Sequence, residues 1–374
     1  MSKIRVLHIV QSLATGGLEN GIINLVNHSN PDDFIVDVLC LRDKGELTER
    51  INNPNTRIFF DGNHQQGKLT AIKKVYQHCQ SHSYDILHSH GYATMLAAYI
   101  GGKLASCPTI INGEHGTLYY SSKKEVLIQR FLFNRMQLNL SVSSVLKNEI
   151  CTLFSVSSER FKTIINGVDT IKFSPNKNQQ RLKKQLGIGP DQLIIGSVGR
   201  LVPLKNYPSL IRAISLMVKQ FPQLMLLLAG DGPEKESLEK LIVKLNLTEH
   251  IRLLGQREDI ADLMNLYDIF VLPSRCEGLS NTLLEAMSCG TPVLAADVGG
   301  NGEIIAEGTS GYLYPTDDSD ALAKHLTCLL LNTSLREDLG RQARKHIEDN
   351  FSLETMVNNY ENTYQELLLT RVSH

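Results

Sequence analysis

Neither sign of charge dominates this chain. Against 38 Lys and Arg stand 39 Asp and Glu, a formal net charge of -1. A protein that binds nucleic acid by neutralising phosphates needs a basic excess, so that class is excluded. Apolar runs are short as well. None approaches the roughly 20 residues of a membrane helix, and the first, at 4–10, ends by Gln11, too short for a secretory signal. The seven cysteines (40, 79, 107, 151, 276, 289, 328) are odd in number, scattered and free of any C-x-x-C spacing. That argues against a disulfide framework and a zinc site, and for reduced thiols in a cytoplasmic protein. G-x-G-x-x-G is missing, which disfavours a dehydrogenase. There is no solenoid-period repeat and no low-complexity tract.

What is present is an ordinary globular composition, 42% hydrophobic and 21% charged, on 374 residues, enough for two domains with separate cores. Short apolar runs predict strands at 4–10, 34–41, 57–60, 85–88, 109–111, 138–142 and 161–165, with helical patterns between most of them. Strands and helices in alternation imply a parallel sheet covered on both faces. Segment 173–180 reads as a linker, and a second alternating series begins with a strand at 193–198.

The densest stretch lies between Asp268 and Glu303. An apolar strand at 269–272 leads into a loop with Glu277 and Gly278; Ser280 or Asn281 caps a helix striped by Leu283, Leu284 and Met287, and Gly290 stops it. A second strand then runs into Asp297-Val298-Gly299-Gly300. The helix start favours a phosphate through its free N–H groups and dipole. Carboxylates at Glu277 and Glu285 cannot hold phosphate, but they suit hydroxyls, so the loop fits a sugar joined to a phosphate. Arg200 and Lys205 share another strand-to-helix loop that can converge two cations on one anion.

E-G-x(6)-E-A-M-x-C-G-T-P-V followed by D-V-G-G resembles the donor-binding signature of the family-four retaining glycosyltransferases. G-R-x(4)-K-N from Gly199, N-G-V-D from Asn166 and G-G-x-E from Gly16 match that family too. The resemblance implies a GT-B fold: two Rossmann-like domains facing across a cleft, one of residues 1–170 plus a helix from 352 to 374 crossing back to it, the other of residues 171–351. It further implies that Arg200 and Lys205 bind the leaving diphosphate and that Gly16 and Gly17 close over it. His115, favoured over His90 of His88-Ser89-His90, contacts the donor sugar. The loop containing Arg257 faces the nucleobase. Gly278, Leu279, Ser280, Asn281 and Thr282 line the donor, Glu277 grips the sugar and Glu285 the ribose.

The expected activity is metal-independent retaining transfer from a UDP- or GDP-linked sugar to a glycan or lipid-linked acceptor, as in bacterial surface polysaccharide synthesis. A nucleotide-sugar epimerase or hydrolase of the same fold is the alternative. No cofactor is expected beyond the nucleotide-sugar substrate. Leu279-Ser280-Asn281 departs from the aromatic-Gly-Leu-Pro run common in the family and leaves the donor sugar open. Asp318-Ser319-Asp320 spells D-x-D, but its place before a helix marks a cap rather than a metal site. The basic, apolar stretch 122–140 reads as a crossover helix, with peripheral contact at the inner membrane surface as its other use.

Overall fold

The computed structural model describes residues 3–14, 16–60, 67–116, 122–176 and 179–372. The chain divides into two compact units, Met1–Gly167 with Leu353–His374, and Val168–Ser352.

The first unit is a parallel sheet of seven strands: β1 (Ile4–Val10), β2 (Phe34–Cys40), β3 (Ile58–Phe59), β4 (Ile86–His90), β5 (Thr109–Glu114), β6 (Leu138–Ser141) and β7 (Phe161–Thr163). Their spatial order is β3-β2-β1-β4-β5-β6-β7. Valine, leucine and isoleucine fill these short strands because both faces are covered, so neither face needs to be polar. One layer of core joins Val6, Val10, Ile22 and Val26 to Met356, Val357, Tyr360 and Tyr364 of the terminal helix Leu353–Val372. That helix belongs to the first unit although the second unit precedes it in sequence.

The second unit repeats the plan with β8 (Leu193–Val198), β9 (Leu224–Ala229), β10 (Ile251–Gly255), β11 (Ile269–Leu272), β12 (Val293–Ala296) and β13 (Tyr312–Tyr314). The order is β10-β9-β8-β11-β12-β13. In each sheet the order reverses once, between β1 and β4 and between β8 and β11. Neighbouring crossovers diverge there and leave a crevice outside the carboxyl ends of the strands.

The expected linker is not one. Phe173 is buried, Asn176 bonds Asn265 and Asp262, and Ser288 donates to the Phe173 carbonyl, so 173–176 is packed onto the second unit. Lys177 and Asn178 lie outside the described residues. The boundary falls at Gly167 and Val168 because Val168 bonds the Phe351 carbonyl and bridges Ser352, which closes the second unit at both ends. Asp318 caps the helix Ser319–Leu331 by accepting from the Ala321 N–H at 2.8 Å, as its position before that helix suggested.

Candidate active site

At the reversal point of the second sheet, the loops after β8 and β11 meet. β8 is followed by Gly199 and exposed Arg200, then by a single 3-10 turn, Pro203–Lys205. Asn206 takes a left-handed conformation (φ 53°) and starts the helix Tyr207–Met217. This turn aims Lys205 at the β11 loop, where its Nζ donates to Glu277 Oε1 at 2.6 Å. Ser274 Oγ donates to the same oxygen at 2.5 Å. The Lys205 and Glu277 side chains are only 21% and 10% exposed. The pair is therefore shielded enough to hold its geometry, unlike an open surface pair. Arg200 has no ion-pair partner among the described residues; it shares the loop with Lys205 but is not tied down.

Two brackets fix these loops. Arg275 pairs with Asp317 at 2.7 Å, Asn206 donates to Asp317 at 3.1 Å, and the Arg275 N–H reaches the Leu204 carbonyl at 2.8 Å. On the other side the D-V-G-G loop lies against the Glu277 backbone. Gly299 (φ 53°) passes so close that a Cβ would run into the Glu277 carbonyl, and the Gly300 N–H donates to the Gly278 carbonyl at 3.1 Å.

The helix Asn281–Ser288 is capped by Ser280, whose Oγ accepts from the Leu283 N–H, and it buries Leu283, Leu284 and Met287. Gly290 (φ 73°) ends it. Gly278 and Leu279 are buried, while Asn281 and Thr282 are half-buried at its first turn. Glu285 sits beyond that turn, so favouring the helix dipole from its first turn is not its role. Burial pushes the Glu285 carboxyl up to about 7, with Lys172 pulling the other way. Arg257 is set apart from this cluster in its contacts, since Asp259 holds its guanidinium at 2.8 and 2.5 Å. Cys289 is buried and its thiol is raised to about 12 by burial, which fits packing rather than chemistry; Cys276 is half-buried.

In the first unit, Gly16 precedes the helix Gly17–His28 with extended backbone (φ -171°), so a tight turn does not explain the glycine pair. The Glu19 carboxylate folds back over Gly16, where a Cβ would strike it. Beyond β5, half-buried His115 joins an imidazole group that sequence adjacency could not reveal. Parallel pairing of β1 with β4 puts His8 beside His88. His8 Nδ1 lies 2.7 Å from His90 Nε2, and His90 Nδ1 lies 2.9 Å from His115 Nε2. One nitrogen from each of His8, His88 and His90 falls within 4.8 Å of the other two, a spacing that can suit a metal. Burial lowers all four rings, His8 to about 3 and His115 to about 4, so they are neutral at physiological pH.

Of the residues expected from sequence, Lys205, Glu277, Gly278 and the Asn281–Ser288 helix start gather on the second unit with Arg200 in the adjoining loop. Gly16, Gly17 and His115 stand at the carboxyl edge of the first sheet. Ser274, the Arg275–Asp317–Asn206 bracket, His8 and the contact of Gly299 with Glu277 were not expected. Of these only Gly299 carried a signal, as part of the D-V-G-G motif after a strand.

Residues 178–346 match the family model "Glycosyl transferases group 1", and residues 15–172 match "Glycosyltransferase Family 4". The chain belongs to the group 1 glycosyltransferases, has the GT-B fold and is a glycosyltransferase enzyme. It is 28% identical over 305 residues to N-acetyl-alpha-D-glucosaminyl L-malate synthase of Bacillus anthracis, covering 80% of this chain and 79% of that one. It is 24% identical over 387 residues to UDP-Gal:alpha-D-GlcNAc-diphosphoundecaprenol alpha-1,3-galactosyltransferase of Escherichia coli, covering 99% of each. Among solved structures, Anabaena HepE in complex with UDP superposes with a TM-score of 0.84 at 24% identity, over 98% of this chain and all of that one.

Proposed function

We propose that this enzyme moves a sugar from a UDP-linked donor to a glycan or lipid-linked acceptor with retention of anomeric configuration and without a metal, in surface polysaccharide synthesis. GDP-linked donors are the second candidates. The observation that carries the reading is the Lys205–Glu277 pair at the strand-order reversal of the second sheet. A nucleotide-sugar reaction must stabilise a departing diphosphate, and preorganised cations do so at little reorganisation cost. Lys205, held by Glu277, and Arg200 in the same loop are placed for that work, with the Asn281–Ser288 helix start as a further anion site. Lys205 and Ser274 both occupy Glu277 Oε1, which leaves Oε2 to accept from a sugar hydroxyl. The negative carboxylate also favours positive charge at the anomeric carbon. Glu285 suits the ribose hydroxyls, and His115 a contact with the donor sugar.

UDP binding by HepE, and the UDP-galactose donor and diphosphoundecaprenol-linked acceptor in the Escherichia coli relative's name, support a uridine donor and a lipid-linked acceptor. Among the described residues no helix is long and apolar enough to cross a membrane. A lipid-linked acceptor is then met at the bilayer surface. The helix Lys123–Arg135 exposes Leu127 and Phe131 between Lys123, Lys124, Arg130 and Arg135, a composition suited to an anionic leaflet.

The test is a thermal-shift screen of UDP- and GDP-sugars in EDTA, since a ligand at 100 times its Kd adds about 2.7 kcal/mol to the folded state. Transfer to a diphosphoundecaprenol-linked sugar with the hit donor follows, with the product anomer read by NMR. Stabilisation by a UDP-sugar and a retained anomer are expected. An inverted product, or donor consumption that needs no acceptor, overturns the assignment.

A further inference from the structure

The imidazoles of the first unit form an unbroken hydrogen-bonded line, His8 Nδ1 to His90 Nε2 and His90 Nδ1 to His115 Nε2. All three rings are neutral, so each carries one proton. Each of the two bonds needs one proton between its nitrogens, and the third proton must sit at one end of the line. It is on His8 Nε2 or on His115 Nδ1. No third arrangement keeps both bonds.

The two ends differ in surroundings. His8 is fully buried, and its Nε2 has no hydrogen-bond partner among the described residues; the same holds for His88 Nε2. The rings around them come from two elements: His88 and His90 from β4, and Tyr360 and Tyr364 from the terminal helix, with Tyr364 OH 2.9 Å from His88 Nδ1. None offers His8 Nε2 an acceptor. A buried orphan N–H is rarer and costlier than a buried bare acceptor. His115, by contrast, is half-buried at the sheet edge. The proton is therefore excluded from the His8 end. Gly113 makes the line possible: a Cβ there would lie 2.9 Å from His115 Nε2 and 3.0 Å from His88 Nε2.

We propose that His8 and His90 are positioning residues that fix His115 as the Nδ1–H tautomer, so that it offers a ligand hydroxyl or phosphoryl oxygen an N–H donor and no lone pair. His115 is then a binding and polarising group, and it cannot act as a general base through Nδ1. The ligand part of this inference rests on the transferase reading above; the tautomer does not.

Long-range proton–nitrogen correlation spectra of the full chain labelled with 15N-histidine, without substrate at pH 7.5, separate the two tautomers. His115→Gln identifies the His115 signals. The expected result is protonated Nδ1 and bare Nε2 at His115; a protonated Nε2 overturns the proposal. His8→Phe keeps an apolar ring in the core but removes the terminal donor, and should give His115 a mixed tautomer, with His8→Asn restoring the native signal in part. An unchanged His115 signal in His8→Phe overturns the positioning role. Addition of Zn2+ should leave the His8 and His90 signals in place, because a metal on His90 would break the line; their displacement also overturns it. In the transfer assay His115→Asn, which keeps a donor near Nδ1, should retain at least tenfold more kcat/KM than His115→Asp, and equal losses refute the donor role. Failure to find transfer with any UDP- or GDP-sugar would strike the proposed reaction while leaving the tautomer result intact.

Discussion

At the scale of single residues, the proposed reaction gives Lys205 and Glu285 different work. In that proposal Lys205 faces charge that grows as the diphosphate departs, so its contribution would be larger in the transition state than in the ground state. Lys205→Ala should lower kcat about 10²–10³-fold while donor Kd changes far less. Single-turnover kinetics with isothermal titration check this; matched losses would remove Lys205 from the chemical step. Glu285, raised to about 7 by burial, is largely neutral at pH 6 and ionised at pH 8. The ionised form accepts hydroxyl hydrogen bonds on both oxygens and more strongly than the neutral acid. UDP-sugar affinity should therefore weaken as pH falls from 8 to 6, and Glu285→Gln should flatten that dependence in calorimetric titrations. A profile unchanged by the substitution would clear Glu285 of ribose contact.

At the scale of elements, the loops are held by neighbours more than by their own sequences. Gly299 combines a left-handed φ with contact against the Glu277 carbonyl. Gly299→Ala must displace the β11 loop, and with it the oxygen that holds Lys205. The expected cost is about 1–3 kcal/mol in urea unfolding, accompanied by a loss of kcat out of proportion to the stability lost. Normal turnover in a destabilised variant would show that the Glu277 loop tolerates the shift. The Lys123–Arg135 helix makes a separate prediction. Its Leu132 and Phe133 are fully buried, whereas Leu127 is 65% and Phe131 51% exposed. Leu127→Ser with Phe131→Ser should leave the melting temperature within a few degrees and reduce co-sedimentation with phosphatidylglycerol vesicles several-fold. Equal co-sedimentation would assign those two side chains to some other surface.

At the scale of the whole molecule, the two units differ in what titrates. The first unit holds buried His8, His88 and His90 and half-buried His115, all with lowered proton affinity. As pH falls below 6.5 the unfolded chain takes up protons that the folded rings refuse, so this stability is present above 6.5 and is lost on descent toward 4. The raised carboxyls of Glu114, at about 7, and Glu361 act oppositely, since the folded state binds their protons first. With His78, also lowered to about 4 by burial, the lowered rings are five against two raised carboxyls, which leaves a net loss of stability as pH falls from 7.5 to 5. Urea unfolding at both pH values checks the sign, and a midpoint that rises at pH 5 would contradict it. His88→Gln should reduce the difference.

By itself the sequence determined the alternation of strands and helices, hence two parallel-sheet domains, along with the family. Those properties are local: apolar runs, caps and short motifs carry them within a few turns of chain. Tertiary structure alone decided which partners each residue has. The Lys205–Glu277 pair joins residues 72 apart, the Arg275–Asp317 bracket joins residues 42 apart, and His8 reaches His90 across 82 residues through the pairing of β1 with β4. Parallel strands are neighbours without being consecutive, so no spacing in the chain announces such contacts. The same reason explains the misplaced linker: 173–176 looks polar and unstructured in sequence, and only packing against Asn265, Asp262 and Ser288 makes it part of the second unit.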